Sequence, residues 1–127
     1  MSLLLVVDDD PQVRVLLRSL LEDDLGHEVV FATDGQMAAE RFAKIDPDLV
    51  ITDLIMPKMH GVALIAHLRR VYPASNIIAI SGKGQEELDK AVRAGAIASL
   101  KKPLNRGDLV WAIGRGLHSQ DPWKRSK

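Results

Sequence analysis

The chain contains no cysteine, which removes disulfide frameworks, thiol catalysis, Cys-ligated metals and iron–sulfur clusters together. It has no excess charge of either sign: 17 Lys+Arg stand against 17 Asp+Glu, and a general nucleic-acid binder would show a strong basic excess. It has no apolar run approaching the roughly 18 residues of a membrane span. The apolar start Leu3-Leu4-Leu5-Val6-Val7 has no basic residue before it and runs into three aspartates, so it is not a signal peptide. Gly82-Lys83-Gly84 lacks the Gly-x-x-x-x-Gly-Lys-Ser/Thr spacing of a phosphate-binding loop. His27, His60, His67 and His118 show no metal-ligand spacing and are expected at the surface. A length of 127 residues suits one domain that buries its core without disulfides or zinc. These absences together point to a small cytoplasmic domain. Its acids are nevertheless unevenly placed, with Asp8, Asp9 and Asp10 side by side.

Apolar periodicity alternates between short continuous runs and helical stripes. Leu3–Val7 reads as a strand buried on both faces. Asp10-Pro11 reads as a helix N-cap and first helical residue, followed by the stripe Val13, Leu16, Leu17, Leu20 and Leu21, with Gly26 as its stop. Glu28–Ala32 is the second strand, and Thr33–Gln36 resembles a capping box ahead of the stripe Ala38, Phe42 and Ile45. Asp46-Pro47-Asp48 is a turn before a third strand, Leu49–Thr52, that ends on Asp53. A helix over 62–71 directs Leu64, Ile65 and Leu68 inward, and Ile77–Ile80 is the fourth strand. Residues 85–94 form a thinly apolar helix with only Leu88, Ala91 and Val92 to bury, expected to be the least firmly held. A fifth strand over 97–100 and a last helix over 105–118, burying Leu109, Ile113 and Leu117, complete the series. Strict strand–helix alternation predicts an α/β doubly wound parallel sheet with helices on both faces. Residues 3–118 would form the domain, and 119–127 a polar, frayed tail.

The polar residues fall at strand ends. Asp8 and Asp9 follow the first strand, Asp53 ends the third, Ser81 ends the fourth and Lys102 follows the fifth. In an open parallel sheet the carboxyl ends share one edge, where ligands bind at the topological switch point. In the common order 2-1-3-4-5 the first and third strands are neighbours, which gathers Asp8, Asp9 and Asp53. Crowded carboxylates repel and call for a compensating cation. Magnesium suits such a set, since it takes one or two protein carboxylates and bridges to phosphate. A lysine and a serine hydroxyl opposite would complete a phosphoryl clamp, with a carboxylate as nucleophile. Asp10 is expected to cap its helix, and Asp46 and Asp48 to be turn residues.

Val6-Val7-Asp8-Asp9-Asp10-Pro11, Thr52-Asp53-Leu54-Ile55-Met56-Pro57 with Gly61, Ile80-Ser81-Gly82, and Lys102-Pro103 together resemble the receiver domain of two-component response regulators. The resemblance runs from about Leu3 to His118 and implies a flavodoxin-like (βα)5 three-layer sandwich. It implies phosphoryl transfer to Asp53 from the phosphohistidine of a sensor histidine kinase or phosphotransfer protein. Asp9 would bind Mg2+ directly, Asp8 mostly through water, and the Ile55 backbone carbonyl would add a ligand. Ser81 and Lys102 would hold the phosphoryl group, and the Lys102-Pro103 bond would be cis. Alternate strand residues face opposite ways, so Lys101 should not reach the site.

Ser99 stands where receivers carry the Tyr or Phe that swings inward on activation, so the usual output switch cannot run in its usual form. His60 stands where many members have Asp. An apolar Ile55 disfavours an attacking water and predicts a long-lived phosphorylated state, which Lys83 would oppose if it positioned water. Trp111 lies about 160° around its helix from Ile113 at roughly 100° per residue, so it points outward. It would rest on the tail or anchor an interface, including a homodimer through the face of the fourth helix, fifth strand and fifth helix. The resemblance makes the chain a signalling switch and not an enzyme, without direct DNA binding or membrane contact. Its output would pass through a downstream protein or an effector domain absent from this chain. Two alternatives remain: a receiver-like binding module with phosphate-independent output, and a magnesium aspartyl-phosphate phosphohydrolase. The latter typically has a second aspartate two residues after the nucleophile, where this chain has Ile55.

Overall fold

A computed structural model describes residues 1–56 and 58–118; Pro57 and the tail 119–127 lie outside the described residues. The elements run β1 (Leu3–Val7), α1 (Pro11–Arg18), a π-helical turn (Ser19–Asp24), β2 (Glu28–Ala32), α2 (Gly35–Ile45), β3 (Leu49–Asp53), α3 (Gly61–Val71), β4 (Ile77–Ser81), α4 (Gln85–Ala94), β5 (Ala98–Lys101) and α5 (Arg106–His118). All strand pairs are parallel, in the order β2-β1-β3-β4-β5. The expected doubly wound (βα)5 fold is therefore the observed one.

The strands show why continuous apolar runs were needed. In β1, Leu5 and Val7 face one core with Val50, Ile77 and Ala79, while Leu4 and Val6 face the other with Leu49, Ile51, Ile78 and Ile80. The first core is covered by α2, α3 and α4 through Phe42, Leu64, Ile65, Leu68 and Leu88. The second is covered by α1, its π-helical turn and α5 through Leu17, Leu20, Leu21, Leu109 and Ile113. A strand buried on both faces cannot alternate polar and apolar residues, because every side chain meets a helix.

Several local expectations are corrected. Leu16 is 51% exposed and Val92 48% exposed, so neither belongs to the buried stripe. In α1 the chain widens into the π-helical turn at Ser19, which directs Leu20 and Leu21 to the core. The cap of α2 is Asp34, whose Oδ1 accepts from Met37 N at 2.8 Å; Thr33 is one residue too early. β5 spans Ala98–Lys101, one residue later than expected, while β4 does end on Ser81. Asp10 does cap α1, its Oδ1 accepting from Gln12 N at 2.9 Å. Asp48 does more than turn the chain: its Oδ2 accepts from Leu3 N at 2.9 Å and ties the start of β1. Among the histidines, His27 and His67 are half-buried. His60 caps α3, with Nδ1 accepting from Val62 N. Among the described residues no helix is long and apolar enough to cross a membrane.

Candidate functional site

The register of the central strands assembles the site. Val7 of β1 lies opposite Thr52 of β3, so the residues that follow, Asp8 and Asp53, leave the sheet side by side. Asp53 lies opposite Ile80, and Ser81 opposite Lys101. Lys102 N then donates to Ser81 O at 2.8 Å, carrying the pairing one residue past β5. Lys101 is exposed, whereas Lys102 turns inward, as the alternation of strand side chains requires. The Lys102–Pro103 peptide bond is cis.

Asp8, Asp9 and Asp53 each offer a carboxylate oxygen, and these oxygens all lie within 4.8 Å of one another. Asp8 and Asp53 are buried, and Asp9 is exposed. Lys102 Nζ donates to Asp8 Oδ2 at 3.1 Å and to Asp53 Oδ2 at 3.2 Å. The other oxygens are also engaged: Asp8 Oδ1 accepts from Asp10 N at 2.9 Å, and Asp53 Oδ1 from Ile55 N at 3.3 Å. Burial is the largest influence on Asp8 and raises its pKa, with the Asp53 charge adding to the rise; the Asp10 amide and the Lys102 ammonium oppose it without cancelling it. Burial likewise opposes the charge on Lys102, but the Asp8 and Asp53 carboxylates outweigh it and raise the lysine pKa.

One lysine among three carboxylates leaves a local excess of negative charge in a partly dry site. Three hard oxygen donors at this spacing fit a divalent cation of the magnesium type. The cluster is a magnesium-coordinating pocket. Asp10 is not in the group and stays on its helix cap.

Ser81 is fully buried, and its Oγ accepts from Lys83 N at 3.0 Å. A shallow cleft beside the cluster is lined by Asp53, Ile55, Gly82, Lys83 and Lys102. Ile55 is 41% exposed at its mouth. Ser99 is half-buried in β5 opposite Ala79. Trp111 lies on the outer side of α5, 60% exposed, with the Arg115 guanidinium 5.5 Å from its ring centroid. Sequence reasoning missed Arg14, whose Nη1 donates to the Asp8 carbonyl at 3.0 Å and braces the β1–α1 loop. Its signal was a cation in the opening of a helix that leaves an acidic loop.

Residues 4–114 match the sequence model of a family described as response regulator receiver domain. The chain is 33% identical over 113 residues to chemotaxis protein CheY of Thermotoga maritima, covering 87% of this chain and 93% of that protein. It is 35% identical over 107 residues to protein-glutamate methylesterase/protein-glutamine glutaminase 4 of Geobacter metallireducens, covering 81% of this chain but 31% of that longer protein. Among solved structures, a response regulator receiver domain protein from Clostridium thermocellum superposes with a TM-score of 0.88 at 29% identity, covering 94% of this chain and 97% of that one.

Proposed function

The chain belongs to the response regulator receiver domain family, and from that premise we propose that Asp53 accepts a phosphoryl group from the phosphohistidine of a sensor histidine kinase or phosphotransfer protein. The observation that carries this reading is the single lysine ammonium shared between Asp8 and Asp53, at 3.1 and 3.2 Å. A cation already held between two carboxylates can turn to a third anion, the arriving phosphoryl group, without crossing the site.

An Asp53 carboxylate oxygen attacks phosphorus. The P–N bond breaks with its electron pair going to the imidazole nitrogen, and the departing ring is neutral once it carries one proton. Asp8, Asp9 and Asp53, with the Ile55 carbonyl, would hold Mg2+. When bound, that ion supplies charge neutralisation for the carboxylates and the phosphoryl oxygens. Lys102 pairs with a phosphoryl oxygen. Ser81 Oγ accepts its hydrogen bond from Lys83 N, which leaves the hydroxyl proton to donate to another phosphoryl oxygen. Phosphoryl transfer asks mainly for positioning and charge stabilisation, and these side chains supply both. The domain undergoes its own phosphorylation and dephosphorylation and has no freestanding substrate.

The output runs through protein contact. Trp111, exposed on α5 with Val110 beside it, is a natural anchor for a downstream partner or a second copy on the α4–β5–α5 face. With Ser99 in place of an aromatic, no ring can swing into the site, so this face responds by another route than the family's usual one.

The test is incubation with Mg2+ and acetyl phosphate or a phosphorylated kinase domain, read by intact mass. The expected result is a gain of one phosphoryl group, lost in Asp53→Asn. No modification of the wild-type chain would overturn the reading in favour of a module that binds without phosphate.

A further inference from the structure

The β3–α3 loop carries Ile55 past the carboxylate cluster, and its far end lies against the start of α2. Gly35, the first residue of α2, is buried there with no room for a side chain. A Cβ at this position would stand 2.5 Å from Met59 Cβ and 2.5 Å from the Met59 carbonyl oxygen. Beside it, Lys58 Nζ lies 3.8 Å from Asp34 Oδ2. Asp34 is a buried carboxylate whose other oxygen caps α2. Lys58 has φ of +67°, a region that L side chains rarely adopt and that persists when surrounding contacts impose it. The end of β2, two residues before Asp34, is itself bonded to the cluster, because the Ala32 carbonyl accepts from Asp8 N at 3.0 Å.

We propose that the amino end of α2 is a positioning element for the metal pocket, in which Gly35 and the Asp34–Lys58 pair seat the β3–α3 loop so that Ile55 stays beside Asp8, Asp9 and Asp53. This rests on the assignment of the Ile55 carbonyl as a metal ligand. Gly35, Asp34 and Lys58 are positioning residues that touch neither metal nor phosphate. Their contribution is to keep the loop from relaxing outward and withdrawing one oxygen from the set. Partners that orient metal ligands typically govern affinity by about 10- to 100-fold when lost.

The experiment is calorimetric titration of Mg2+ into the full chain as wild type, Asp9→Asn, Gly35→Ala and Lys58→Gln, with thermal unfolding of each in parallel. The wild type is expected to bind Mg2+ and Asp9→Asn to lose binding, which establishes the pocket separately from its seat. Gly35→Ala is expected to weaken Mg2+ by about tenfold while folded. Lys58→Gln is the sharper arm. Removing a positive charge from the loop would by electrostatics alone leave Mg2+ affinity unchanged or tighten it, whereas loosening the seat should weaken it by about twofold, the scale of one solvent-facing ion pair. If Gly35→Ala does not fold, Lys58→Gln decides by itself. Wild-type affinity in folded Gly35→Ala, or unchanged or tighter binding in Lys58→Gln, overturns the inference and leaves the pocket standing. Absence of Mg2+ binding in the wild type overturns both.

Discussion

Lys102 Nζ stands 3.1 Å from Asp8, 94 residues earlier in the chain, and 3.2 Å from Asp53, 49 residues earlier, so the two carboxylates share one charge across the mouths of β1 and β3. Removing it leaves two buried carboxylates facing each other. Lys102→Met is therefore expected to lower stability in magnesium-free buffer by about 1–3 kcal/mol, the usual cost of orphaning buried polar groups. Mg2+ should restore part of that loss, since it replaces the missing positive charge. Urea unfolding with and without Mg2+ measures both. An unchanged midpoint in magnesium-free buffer would show that the lysine carries no structural charge balance.

Ile55 sits at the mouth of the cleft, which Lys83 also lines. An apolar side chain there gives an attacking water no hydrogen-bond partner, so the phosphorylated protein is expected to persist for minutes or longer. Ile55→Asn should shorten its lifetime by about tenfold, the effect of one well-placed hydrogen bond to a charged transition state. Decay is followed by loss of the phosphoryl mass after the donor is removed. Decay of the wild type within seconds would contradict the expectation.

Gly61 opens α3 directly over the nucleophile's backbone. A Cβ at this position would lie 2.4 Å from Asp53 O and 2.5 Å from Leu54 Cα, both main-chain atoms with little freedom to yield. Gly61→Ala is expected to cost about 1–3 kcal/mol, as overpacking does. It should also slow phosphorylation, because relief of the clash moves Asp53. Urea unfolding and the phosphorylation rate test the two halves separately.

His27 lies at the opposite end of the sheet, its Nδ1 accepting from Ser2 N at 3.2 Å. Burial lowers its pKa first, the terminal amino group adds to the fall, and Asp48 opposes it. A lowered folded-state pKa means that the unfolded chain binds more protons between that value and about 6.5, so stability rises with pH across this window. The contribution is present above the unfolded pKa and lost as pH falls through the folded one. A proton NMR titration should place His27 below the ordinary histidine value, and His27→Gln should flatten the melting temperature between about pH 7 and 5.

The strand ends and their chemistry were readable because β1, β3 and β4 are buried on both faces. Their apolar runs are broken only by Thr52 in β3, and a charged residue or a serine marks the end of each. That is how Asp8, Asp53 and Ser81 could be placed before any contact was known. The surface helices were less legible. Leu16 and Val92 fit an apolar stripe by spacing, but a stripe says nothing of how wide the covering contact is. The π-helical turn at Ser19–Asp24 also rotates the last turn away from the ideal period. The cap of α2 was read one residue early, because Thr33 and Asp34 are both good caps and only the backbone decides between them.

The sequence by itself determined the alternation of strands and helices, the acidic cluster after β1 and the lysine after β5, since periodicity and turn chemistry are local properties. Only the tertiary structure decided that one lysine bridges Asp8 and Asp53, that Arg14 braces the Asp8 carbonyl, and that Gly35 receives Met59. The first and last of those contacts join residues distant in sequence, and the distances in all three follow from strand register, loop path and helix seating, which no periodicity encodes.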